Sequence, residues 1–315
     1  MLYIQQQNEV APMKQEQTLD SYESSTYGKE LFVAKAKIGK TVTLIGNILG
    51  VMPWQEHGGI VDTPSSLHVL TFDAAAADGV REFLVNECGA PKEIGKVHIE
   101  NLQRVAEKAF AGRGDYDGLF LDTVYDTIRK IQDRTAKPGV HVVLVSSLTM
   151  LAKAVLRSVS GPAFLMKDGK MWKSPMDQNK WGLLKQIMTE LQWSTQQDNY
   201  HTIWEGHHGE KTVKETDGAG NPKTFDTIQI DGSTARSFPA QVERVWEIHR
   251  SPMKYVDPKT KKPTKVCLVH FDPFPTFDFG DQQSGRKVSS RLEAKEPCLT
   301  TAFHKLDLKI GGWGT

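Results

Sequence analysis

Ala34-Lys35-Ala36-Lys37-Ile38-Gly39-Lys40-Thr41 follows a short apolar run and opens a longer, periodic one. Leu31, Phe32 and Val33 read as a buried strand, and Val42, Leu44, Ile45, Ile48 and Leu49 recur at helical spacing. Strand, tight loop and helix form the setting that a phosphate-binding loop requires. Successive backbone N–H groups cradle the anion there, and the helix start adds about half a positive charge. The candidate nucleotide-binding segment is therefore Ala34, Lys35, Ala36, Lys37, Ile38, Gly39, Lys40, Thr41 and Val42. Lys40 would reach the β- and γ-phosphates, and the Thr41 hydroxyl would be a ligand of Mg²⁺. Ala34 stands where the motif asks for glycine, which restricts the backbone.

Outward from this stretch, strand-like runs alternate with helical patterns up to about Arg250. Leu67 to Phe72 is a second strand, ending on Asp73, and Lys96 to Ile99 a short third. Leu102, Val105, Ala106, Ala109 and Phe110 give a helix face. Val140 to Val145 is the clearest buried strand, followed by a helix through Leu148, Leu151 and Val155. A helix through Leu184, Ile187 and Leu191 then leads into a strand from Tyr200 to Trp204. Such alternation predicts an α/β fold, a mainly parallel sheet with helices on both faces. Lys211 to Ile230 reads as a late β-hairpin around Asp217-Gly218-Ala219-Gly220-Asn221-Pro222, and Val242 to Ile248 as another strand. The expected organisation is a flexible segment 1–27, a core 28–250 and a Pro- and Lys-rich C-terminal extension 251–315.

The chain has 315 residues, 39% of them hydrophobic and 24% charged, an ordinary globular composition with ample core. A formal net charge of +1 announces neither a nucleic acid nor a membrane, so any polyanion contact must be local. Cys88, Cys267 and Cys298 are too few and too far apart for a disulfide framework or a cysteine zinc site. With no bilayer-length apolar run and no signal-peptide core, a cytoplasmic protein is expected.

A phosphate-loop hydrolase needs a carboxylate for the Mg²⁺ shell and another to orient the attacking water. For the metal side, Asp122 ends an apolar run, but Phe120, Leu121, Val124, Ile128 and Ile131 also fall at helical spacing. Its rival is Ser146, at the end of the Val140 strand, which periodicity favours although it brings no charge. Asp73 and Glu205, both at strand ends, are the candidates for the water-orienting, catalytic acid beside Lys40. His207 and His208 are adjacent and point to opposite faces of a strand, so His207 suits phosphate sensing better than metal binding. Lys167, Lys170, Trp172 and Lys173 combine cations with an aromatic ring, a pattern that suits sequence-tolerant contact with single-stranded DNA.

In this order the motifs resemble the RecA-like P-loop ATPases of bacteriophages, especially the Sak-type single-strand annealing group. The resemblance rests on Lys37-Ile38-Gly39-Lys40-Thr41, Thr71-Phe72-Asp73, Ser146-Ser147-Leu148-Thr149, Trp181-Gly182, Gly206-His207 and the late loop from Gly232 to Pro239. It implies a RecA-like core over about residues 28–250, with ATP and Mg²⁺ as cofactors. It also implies homo-oligomeric assembly on single-stranded DNA in phage recombination, annealing or replication, within the host cytoplasm. Arg236 in the late loop would then serve a neighbouring subunit's phosphate as an arginine finger. Ala34, Ser146 and Ala74-Ala75 depart from the group's pattern. Two readings therefore stand: a DNA-dependent ATPase, and an ATP-liganded binding or assembly module that does not hydrolyse.

Overall fold

Strand β1 (Lys29–Ala34) and helix α1 (Lys40–Leu49) flank the loop that opens the sequence reading. In chain order follow β2 (Ser66–Thr71), α2 (Ala76–Glu82), β3 (Val97–Asn101), α3 (Asp117–Thr135), β4 (His141–Ser146) and α4 (Leu148–Ser160). Then come β5 (Phe164–Leu165), β6 (Met171–Trp172), α5 (Gln178–Thr195), β7 (His201–Thr216), β8 (Pro222–Ile228), α6 (Thr234–Ser237), β9 (Arg244–Val256) and β10 (Pro263–Pro273). The structure, a computed structural model, describes residues 28–35, 39–52, 64–73, 76–102, 117–160, 164–165, 171–172, 176–197, 199–216, 220, 222–230, 234–242, 244–256, 259–273, 282–283 and 286–287.

The fold is α/β. Its main sheet runs in the order β10-β9-β1-β7-β4-β2-β3, with β8 attached to β7. From β9 to β3 every neighbouring pair is parallel, while β10 and β8 pair antiparallel with β9 and β7. Parallel pairing demands crossovers, and the helices supply them, so both faces of the sheet are covered.

Side chains alternate across a strand, and here the alternation sorts the interior into two cores. Leu31, Val33, Val143, Val145 and Trp204 face α3, α4 and α5. Phe32, Ala34, Val142, Leu144 and Ile203 face α1 and α2. In α1, Leu44, Ile45, Ile48 and Leu49 form the apolar stripe, and Gly50 ends the helix in the left-handed region at φ 70°. In α5, Asp177 caps the start by accepting from the Lys180 N–H at 2.8 Å. Trp204 is fully buried and meets Phe238 edge-on, with ring centroids 4.9 Å apart.

Several sequence expectations change. The segment carrying Asp122 is α3, where Phe120, Val124, Ile128 and Ile131 are buried and Asp122 is exposed. The strand expected at Tyr200 and the first strand of the hairpin are one continuous β7 of 16 residues. The strand expected at Val242 to Ile248 is β9, which runs on to Val256, and β10 returns along it. Trp172, a candidate for DNA contact, lies on β6 and pairs with Phe164 of β5. The helix face proposed for Val105 to Phe110 lies outside the described residues, as does the segment 1–27.

Candidate functional site

Brought together at the carboxyl edge of the parallel sheet are α1, β4 and β7, the region where open α/β sheets place their ligands. Gly39 precedes α1 with φ +80°, a conformation that L-residues other than glycine adopt at a cost. A Cβ there would meet only Val42 Cγ2, at an ordinary 3.6 Å, so the requirement is conformational and not steric. Gly39→Ala is therefore expected to lower unfolding free energy by about 1–2 kcal/mol, read from urea denaturation. An unchanged midpoint would show that the loop can relax to another φ.

The start of α1 is electrostatically odd. Lys40 occupies its first turn, which has no acidic residue, although the helix dipole there favours negative charge. Lys40 is also only 6% exposed. Its compensation comes from β7: Glu205 Oε1 lies 3.5 Å from Lys40 Nζ. The other oxygen, Glu205 Oε2, accepts from Thr41 Oγ1 at 2.7 Å and from Ser146 Oγ at 3.1 Å. The two hydroxyl oxygens are themselves 3.0 Å apart. Sheet register explains the meeting: Ser146 pairs with Glu205 across β4 and β7, and Phe32 of β1 pairs with Glu205 from the other side. Glu205 shares its strand face with Ile203, and Ser146 with Val142 and Leu144, which is the face that α1 covers. At Ser147 the chain turns from β4 into α4 with φ 82°, a sharp reversal that leaves Ser146 at the strand's end.

Lys40, Thr41, Ser146 and Glu205 thus form one cluster. Ala34 is fully buried at the end of β1, Lys35 is exposed, and Val42 is half-buried in α1. Asp73 is exposed beyond the end of β2, with β4 and β7 between that strand and β1. Its backbone N–H donates to Thr71 Oγ1 at 3.0 Å, and its carbonyl accepts from Asn101 at 2.8 Å. Asp122 on α3 does not join the contacts of the cluster. Ala36, Lys37, Ile38, Lys167, Lys170 and Lys173 lie outside the described residues, as do the side chains of Trp172 and Arg236.

His207 is half-buried where β7 passes beyond Ala34, its register partner in β1. Its N–H donates to Thr149 Oγ1 of α4 at 3.0 Å. Burial, followed by the charges of Lys40 and Lys153, holds the His207 imidazole below its ordinary value, against a hydrogen bond with Gln229 that raises it. Lys153 was not singled out in the sequence; its one signal is its place one helical turn after Thr149. Glu30 was missed as well. It is fully buried and accepts the Trp246 indole N–H at 2.7 Å, which ties β1 to β9 behind the loop.

The oxygen set of Thr41, Ser146 and Glu205 suits a hard cation such as Mg²⁺, and the buried ammonium of Lys40 suits a phosphate. Among the described residues, no group of three or more His, Cys, Asp or Glu could hold a metal ion, and no helix is long and apolar enough to cross a membrane.

No family model and no curated protein matches the chain. Among solved structures it is similar to an ATPase from the type III secretion system of pathogenic bacteria, with 11% identity and a TM-score of 0.39. The similarity covers 71% of this chain and 51% of that one, so the chain spans about half the length of that protein.

Proposed function

We propose that this chain is a RecA-like P-loop protein that binds ATP with Mg²⁺ and hydrolyses it while assembled on single-stranded DNA, in phage recombination, annealing or replication. One observation supports the reading above the rest: Lys40 and Thr41, at an acid-free helix start, meet Ser146 and Glu205 at the carboxyl edge of a parallel sheet. Lys40 would hold the outer phosphates, and Thr41 with Ser146 and Glu205 would hold Mg²⁺. The cation would supply charge neutralisation at the phosphates. DNA would contact the hairpin of β5 and β6, where Trp172 lies between the lysines at 170 and 173. Arg236 would complete a neighbouring subunit's site in a homo-oligomer.

A second reading has its own support. Glu205 is held by Lys40, Thr41 and Ser146, so of the two acids suggested for orienting water, Asp73 remains. If exposed Asp73 does not serve, the chain is an ATP-liganded binding or assembly module. Phosphate release, measured with and without single-stranded DNA, separates the two. DNA-stimulated release is the expected result; tight ATP binding with no release in either condition would establish the module instead.

A further inference from the structure

We propose that Glu205 of β7 supplies the negative charge of the metal site that Ser146 of β4 lacks, so that the metal-side carboxylate has moved to the neighbouring strand. This inference rests on the nucleotide reading above and assigns Glu205 a role other than orienting water. The first support is geometric. Thr41 Oγ1, Ser146 Oγ and Glu205 Oε2 form a triangle with sides of 2.7, 3.0 and 3.1 Å. Adjacent ligands of an octahedral Mg²⁺ with bonds of about 2.1 Å stand roughly 3 Å apart, so these oxygens already have the spacing of one octahedral face. The second support is charge. Two hydroxyls alone bring none to a divalent cation, and Glu205 is the acid that touches both of them.

Burial adds a third argument. Glu205 is 2% exposed beside a Lys40 that is also buried, and a lone buried carboxylate is costly unless paired. When phosphate takes over Lys40, Glu205 needs another cation, and the two hydroxyl oxygens bonded to it are the neighbouring donors for one. The register of β4 on β7 makes the exchange possible. Ser146 and Glu205 are direct partners, so a carboxylate on either residue addresses the same space.

The opposing possibility is a plug, with Glu205 merely competing with phosphate for Lys40. Calorimetric titration of the full chain with ATP, in excess EDTA and then in MgCl₂, separates the two through the ratio of the affinities. For the wild type we expect Mg²⁺ to tighten binding clearly. In Glu205→Gln that enhancement should shrink by about tenfold or more, the usual scale when a metal site loses a supporting group. The double variant Ser146→Asp, Glu205→Gln returns the carboxylate to β4 and should regain the enhancement, which also guards against a misfolded single variant. Affinities that rise together in Glu205→Gln, with the ratio kept, would establish the plug and overturn the proposal. So would a lost ratio that the double variant does not restore. A wild type that binds ATP in neither buffer would overturn the nucleotide reading itself.

Discussion

Lys40→Ala is expected to weaken ATP binding about 100-fold. Each hydrogen bond from a charged donor to phosphate contributes about 1.5–3 kcal/mol, and roughly 2.7 kcal/mol corresponds to a factor of 100 in Kd. The loss should be at the upper end because Lys40 is 6% exposed and the field around it is weakly screened. The same change strips Glu205 of its ion-pair partner at 3.5 Å. Removing one member of a buried pair costs about 3 kcal/mol, so the variant should also unfold at lower urea. The two effects part company with Mg²⁺: free cation can neutralise Glu205 and recover stability, but it cannot replace the ammonium at the phosphates. Calorimetry with ATP and urea denaturation with and without MgCl₂ give both numbers. Unchanged ATP affinity would remove the ground for a phosphate loop at this position.

The strand and helix that flank the loop were legible because their signal is local. Apolar Leu31 to Val33, the Gly-Lys-Thr turn and the stripe from Leu44 to Leu49 lie within one strand and one helix, and the structure has β1 and α1 there. The contacts of Glu205 were not legible. A strand-end acid reveals its face by parity but not its neighbours, which follow from the insertion of β7 between β1 and β4. Asp122 was ambiguous for a different reason: an apolar run ending in an acid fits a strand, and the stripe from Phe120 to Ile131, which favoured Ser146 instead, marks the 19-residue helix. The length of β9 was hidden by composition. Ser251 to Pro263 is rich in Pro and Lys, yet such residues are tolerated near sheet edges. Pro252 lies between the pairs Arg250–Val269 and Lys254–Cys267, where the register of β9 on β10 shifts, and Pro263 begins β10. The proline thus sits where the ladder is already interrupted.

Acid should destabilise this protein between pH 6.5 and 4, through two histidines remote from the Lys40–Glu205 cluster. His201, at the start of β7, accepts the Gly28 N–H on Nδ1 at 2.9 Å, and burial pushes its imidazole down to about 4. Protonated Nδ1 cannot accept, so acid both charges a buried ring and breaks the bond that docks the start of β1. His68 in β2 is also held at about 4, by burial first and then by the charges of His98, Arg134 and His141. Its surroundings form a directional chain. The Lys137 carbonyl can only accept, so it takes the His141 Nε2–H at 2.9 Å. With neutral rings, His141 Nδ1 then accepts from Ser66 Oγ at 2.7 Å, and Ser66 Oγ accepts from His68 Nε2 at 2.9 Å. A second proton on His68 would go to Nδ1, which is buried and has no hydrogen-bond partner among the described residues. The sign follows from the folded values lying below the ordinary 6.5 of the unfolded chain. Between those limits the unfolded state binds more protons, so stability is full above pH 6.5, falls as pH drops, and levels off below about 4. Each ring contributes up to about 3 kcal/mol, and together they rival the whole stability of an ordinary domain, about 5–15 kcal/mol. Urea unfolding at stepped pH values measures the slope. His201→Gln keeps a side-chain oxygen able to accept from Gly28 and no longer titrates, so about half of the slope should vanish; a slope unchanged in that variant would place the acid sensitivity elsewhere.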